Sequence, residues 1–160
     1  MDLPRPTPES LAAFWARVIA AGAVPPSAPL PTVVEPFGDS AALADDLLAL
    51  VIDGPKRATA GGLADYAHHG DPLPYEGRLT VATDGSGQPR AVLRTTEVRV
   101  GPLSSVDDAF AWDEGEGDRS RADWLRLHEA YFARYLPTIG HTFDPEMATV
   151  FERFDLVYAE

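Results

Sequence analysis

The sequence contains no cysteine. Disulfides, a thiolate metal site and a thiol nucleophile are excluded together. Lysine is nearly absent: of 13 basic residues, 12 are arginine and the one lysine is Lys56. A guanidinium does not give up its proton, whereas an amine in the right surroundings does, so this lysine is a candidate for chemistry arginine cannot perform; chance also yields such a count. Positive charge is scarce overall. Against 25 acidic residues the 13 basic ones leave a net charge of −12, and phosphate-driven binding runs on Lys and Arg displacing counterions. A whole-surface footprint for duplex DNA is therefore not expected, while a local pocket for a nucleoside or a short single-stranded RNA remains open. No run approaches the ~18 apolar residues of a membrane-spanning helix. The start, Met1-Asp-Leu-Pro-Arg-Pro-Thr-Pro, has neither the basic beginning nor the apolar stretch of a signal peptide, and the expected location is the cytoplasm. No Walker loop, dinucleotide fingerprint, GxSxG or HExxH is present, so neither cofactor nor metal is expected. The oligomeric state is not legible.

What is present fits a single domain of 160 residues. Glu9 to Gly22 reads as a helix, with Leu11, Phe14, Trp15, Val18 and Ile19 on one face. Pro25 to Pro36 reads as an extended, proline-rich connector. Residues 1–36 thus form an N-terminal helical extension packed on a domain of residues 37–160. Ser40 suits the N-cap of a second helix carrying Leu43, Leu47, Leu50 and Val51, ended by Gly54-Pro55. A loop with His68-His69-Gly70 follows. Arg78–Thr83 and Arg90–Val100 read as the strands of a hairpin about Asp84-Gly-Ser-Gly-Gln-Pro. Ser104–Ala111 suits a short helix, and Asp113–Ser120 an acidic, flexible segment. A clear helix bears Trp124, Leu127, His128, Tyr131, Phe132 and Tyr135, and Thr149–Tyr158 is a strand. Helices mixed with an antiparallel hairpin, without a βαβ rhythm, indicate an α+β domain.

Three places could carry chemistry. Lys56 and Thr59 stand three residues apart just beyond a helix end. A hydroxyl nucleophile needs a neighbouring base, and a lysine serves as one only when burial or nearby positive charge, such as that of Arg57, disfavours its proton. The same string also suits a plain turn into a strand. Glu116 lies in Glu114-Gly-Glu-Gly-Asp-Arg-Ser, where flanking glycines permit close approach or φ > 0. Its ordinary alternative is a dipole partner for the next helix, with Ser120 or Asp118 as the cap. Finally, Arg94 and Glu152 each interrupt an apolar strand face, which suggests that they pair beside a polar cavity. If the face of Ala91 and Leu93 is the buried one, Arg94 is simply exposed. His128 reads as a hydrogen-bonded core histidine and the aromatic stripe around it as core.

Phe37-Gly-Asp-Ser, Leu43-Ala-Asp-Asp-Leu-Leu-Ala-Leu-Val, Gly54-Pro-Lys-Arg-Ala-Thr-Ala, Arg94-Thr-Thr-Glu-Val, the acidic segment around Glu116, Trp124 with His128, and Glu152-Arg-Phe occur in an order. That order resembles the ASCH domain proteins of the longer bacterial YhfF-like kind, over nearly the whole chain from Phe37 to Tyr158. The resemblance implies a PUA-like fold, a small β-barrel surrounded by helices, and a partner drawn from RNA or modified nucleosides. It implies an amidohydrolase of N4-acetylcytidine or related N4-acylcytosines, with a ribonuclease or a non-catalytic RNA- or nucleoside-binding module as alternatives. The residues to which it assigns catalysis are Lys56, Thr59 and Glu116. Arg57, Arg94 and Arg119 are expected as substrate contacts.

Overall fold

The computed structural model describes residues 3–160. The chain divides into two compact units. The first comprises the segment up to Gly54, Gly77–Thr95 and Asp155–Glu160; the second comprises Pro55–Glu76 and Thr96–Phe154.

The first unit opens with helix α1 (Pro8–Ala20). Thr7 caps it by accepting a hydrogen bond from the Ser10 N–H at 3.1 Å, and Pro8 stands where a missing N–H costs nothing. Phe14, Trp15 and Val18 are its buried face, and they form one core with Val24, Val81 and Val92. The Trp15 indole N–H donates to the Ala28 carbonyl at 3.1 Å, tying the proline-rich stretch down. That stretch is not only a connector. Val33–Pro36 is strand β1, paired in parallel with β3 (Leu79–Thr83) in the register Val33↔Thr80. Two adjacent valines supply the β preference, and Pro36 is tolerated because β1 is an edge strand. Helix α2 (Ala41–Ile52) starts at the expected Ser40 cap, which accepts from the Leu43 N–H. Its buried line is Ala44, Leu48 and Val51, with Leu43, Leu47 and Leu50 half-buried beside it.

The expected hairpin is present: β3 pairs antiparallel with β4 (Pro89–Pro102), Val81 opposite Val92, with an irregularity at Ala82/Thr83. Asp84 holds the turn by accepting from the N–H groups of Ser86 and Gln88, each at 3.0 Å.

In the second unit, β2 (Ala58–Gly62) pairs antiparallel with β5 (Ala148–Ala159), Thr59 opposite Glu152. The segment with His68-His69, expected as a loop, is helix α3 (Leu63–His69). No α3 residue is buried, so there is no apolar stripe for a periodicity argument to find. The helix is held by polar contacts instead, with the Tyr135 hydroxyl donating to Asp65 at 2.5 Å and His69 lying 3.2 Å from the same hydroxyl. Helix α4 (Asp108–Glu114) begins later than expected, because Asp107, not Ser104, caps it by accepting from the Phe110 N–H at 2.7 Å. Leu103–Ser105 form a single 3-10 turn. Helix α5 (Arg121–Tyr135) buries Trp124, His128 and Phe132. Its core partners include Ala58, Leu103, Phe110 and Phe151.

The five strands follow the hydrogen-bonded order β1-β3-β4-β5-β2. Five strands with five α-helices make the α+β class that was expected. No helix among the described residues is long and apolar enough to cross a membrane.

Phe14 is fully buried, so Phe14→Ala removes a large apolar side chain and leaves a cavity. The expected loss is about 3–5 kcal/mol of unfolding free energy, read by chemical denaturation.

Candidate functional site

Lys56 has 0% exposure. An ammonium is costly to bury unless it is paired, and here it is. Its Nζ donates to Glu116 Oε1 at 2.6 Å and lies 3.7 Å from Glu114 Oε1. Glu114, itself 1% exposed, turns its other oxygen toward His128, with Oε2 and Nε2 3.3 Å apart. The His128 Nδ1 meets the Trp124 carbonyl at 2.9 Å; since a carbonyl only accepts, Nδ1 carries the proton and donates it in this hydrogen bond. The Trp124 indole stacks on the imidazole with ring centres 3.7 Å apart. A line of alternating charge results, from the half-buried Glu116 through the buried Lys56 and Glu114 to His128.

Local backbone geometry explains how two carboxylates so close in sequence reach one amine. Helix α4 stops at Glu114 because Gly115 takes φ 71°, a left-handed conformation that favours glycine. A Cβ on Gly115 would also lie 2.9 Å from the Lys56 backbone nitrogen. The Arg57 N–H donates to the Asp113 carbonyl at 2.7 Å, fixing the end of α4 to the Lys56 segment. On the far side of Glu116, Gly117 has φ 55°, and a Cβ there would collide with Asp123. Both glycines flanking Glu116 are therefore required. Glu116 is not the cap of α5; Ser120 is, accepting from the Asp123 N–H at 3.1 Å.

The remaining expected residues are distributed as follows. Thr59 is half-buried on β2, and its place opposite Glu152 sets the two side chains on the same face of the β2–β5 pair. Arg57 is half-buried and donates to the Lys56 carbonyl at 2.6 Å. Arg119 carries φ 66°, the only positive φ of a non-glycine residue among the described residues, which costs on the order of 1–2 kcal/mol. Its N–H donates to the Glu116 carbonyl at 3.0 Å, its Nε donates to the Trp112 carbonyl at 3.0 Å, and its guanidinium lies 3.7 Å from the centre of the Trp112 ring. Arg94 is exposed and belongs to the first unit, where its β4 neighbours Ala91, Val92, Leu93 and Thr95 are buried. Glu152 is the buried member of the expected Arg94–Glu152 mismatch.

Sequence reasoning missed Glu114 and His128 as members of the site. Glu114 was visible only as one of several acidic residues, and His128 only as a core histidine. Among the described residues, no three His, Asp or Glu side chains are grouped to hold a metal ion.

A family model for the ASCH domain matches residues 33–158. The chain belongs to the ASCH domain family. Two solved structures resemble it closely. A protein of Enterococcus faecalis V583, EF3133, assigned to the family DUF984, is 29% identical; the match covers 94% of this chain and 89% of that one, with a TM-score of 0.81. An ASCH domain from Lactobacillus crispatus JV V101 is 28% identical over 94% of this chain and 95% of its own, with a TM-score of 0.80. No curated protein matches. The five-stranded α+β arrangement agrees with the PUA-like fold expected of ASCH domains, and ASCH membership connects the chain to RNA-related binding or hydrolysis.

The electrostatics of this cluster have a definite sign. Burial pushes the Glu114 carboxyl up, but the charges of His128 and Lys56 outweigh burial and hold it below its ordinary value of 4.5. Burial pushes His128 down, yet the Glu114 charge and hydrogen bond outweigh it and raise the imidazole above its ordinary 6.5. The raised His128 contributes stability in full below pH 6.5, and this contribution is lost as pH climbs through its folded value. The lowered Glu114 contributes above pH 4.5, and its part is lost as pH falls through its folded value. Stability should therefore decline on the alkaline side as His128 loses its proton, and His128→Gln should remove that decline. Glu114→Gln takes the carboxylate from the buried His128 and leaves Lys56 with Glu116 alone, and is expected to cost roughly 3–5 kcal/mol. Denaturation midpoints measured from pH 4 to pH 9, on about a one-unit grid, check both.

Proposed function

We propose that the chain is an amidohydrolase of RNA-derived nucleosides, acting on N4-acetylcytidine or related N4-acylcytosines. The observation that carries this reading is the 2.6 Å contact between the buried Lys56 Nζ and the half-buried Glu116 Oε1, with Thr59 three residues along the same segment. A proton passed from the ammonium to the carboxylate along this hydrogen bond turns an ion pair into a base and an acid at once. No proton has to be exchanged with solvent.

The sequence of steps then balances. Neutral Lys56 takes the Thr59 hydroxyl proton as Oγ1 bonds to the acyl carbon. The tetrahedral adduct collapses, the bond from the acyl carbon to N4 breaks, and protonated Glu116 delivers its proton to N4, releasing cytidine. Lys56 is now an ammonium and Glu116 a carboxylate, as at the start. The same transfer regenerates base and acid. Lys56 then takes a proton from the attacking water, Glu116 returns one to Thr59 Oγ1, and the carboxylic acid leaves. In the direct variant of this chemistry, Lys56 and Glu116 activate water and Thr59 positions it.

The closed ion pair favours a second reading, a non-catalytic RNA- or nucleoside-binding module. In that case Lys56 keeps its proton permanently and the pair only shapes the site.

Incubation of the protein with N4-acetylcytidine, following cytidine release, decides between them. Expected are turnover by the native protein and losses of about 10²–10⁴-fold in Lys56→Ala and Glu116→Gln. Loss on a similar scale in Thr59→Ala identifies the hydroxyl as the nucleophile, and a mild effect there points to direct attack by water. A folded protein that releases cytidine from neither N4-acetylcytidine nor N4-benzoylcytidine would end the amidohydrolase reading.

A further inference from the structure

Trp112 is a large apolar residue left 58% exposed. It lies on α4 two positions before Glu114, and two helical residues turn through about 200°. Glu114 faces the buried line of charges, so Trp112 faces away from it, outward from the same short helix. One face of the indole is already occupied by the Arg119 guanidinium, 3.7 Å from the ring centre. Arg119 is fixed there by its Nε bond to the Trp112 carbonyl and its backbone bond to the Glu116 carbonyl, in a conformation that arginine ordinarily avoids. With that contact made, the residue still keeps more than half of its surface exposed. A braced aromatic surface is thus coupled through one backbone hydrogen bond to the carboxylate that holds Lys56.

We infer that the Trp112–Arg119 pair is a stacking platform for a second nucleobase, one that flanks the base entering the Lys56–Glu116 site, so that a short single-stranded oligonucleotide binds there more tightly than a free nucleoside. This inference rests on the reading of that site as one that receives an RNA-derived base. The occupant follows from charge as well as shape. A chain of net charge −12 has little capacity for the counterion release that drives phosphate binding. Base–aromatic stacking needs no net positive charge and tolerates any base, because every base has a π-face. Trp112 points away from the buried charges, so it meets a neighbouring base and not the reacting one.

The test compares cytidine with the single-stranded trinucleotide CpCpC by calorimetry, and by tryptophan fluorescence. Neither probe is acylated, so failure of the amidohydrolase reading does not affect the outcome. Trp15 and Trp124 are buried, which makes Trp112 the tryptophan open to quenching by a stacked base. The wild-type protein is expected to bind the trinucleotide about tenfold or more tightly than cytidine, the gain expected of one stacked base. Binding should quench fluorescence, and the advantage should depend little on salt. Trp112→Ala should bring the ratio close to one, and Trp112→Phe should retain much of it. An equal affinity for both probes in the wild type, or an advantage that survives Trp112→Ala, would overturn the inference. So would an advantage that falls steeply with salt.

Discussion

A primary amine with no exposure to solvent must be neutralised where it stands, and much of the second unit's local geometry serves that requirement. Glu116 and Glu114 reach Lys56 from the same short stretch of chain because Gly115 and Gly117 bend the backbone on both sides of Glu116. The second carboxylate would leave an excess negative charge, and His128 offsets it from α5. His128 in turn is orientated by the Trp124 carbonyl and covered by the Trp124 ring. Two acidic and two basic groups alternate along the line, the pairing under which buried ionisable groups are tolerated. Each member is held by the next, so a change at any one position is felt at Lys56.

Much of this was legible in the sequence where the information is local. The cap at Ser40, the Gly54-Pro55 stop, the hairpin about Asp84 and the stripe of α5 each depend on residues within a few positions of one another, and each is found. Glu116 was legible for the same reason, since the glycines that shape its surroundings adjoin it. The ion pair itself joins residues 60 positions apart, and no periodicity encodes such a distance. An apolar stripe reports that His128 is buried; it does not report that Glu114 is opposite. Helix α3 was invisible because none of its residues is fully buried. Strand β1 was hidden among prolines, its evidence residing in a partner strand far along the chain.

The order of the segments has a consequence for how the protein is made. The first unit is assembled from three separate stretches, and the last of them is Asp155–Glu160. Glu160 lies against Arg17 on α1 at 2.9 Å and, through its backbone, against Arg90 at 3.0 Å. Helix α1 leaves the ribosome well before Asp155–Glu160, the stretch that completes its surroundings. No contiguous fragment contains the first unit without also containing all of the second. Long loops must close before these contacts reward them, so a nascent chain arrested a few residues short of Glu160 carries α1 without its last neighbours.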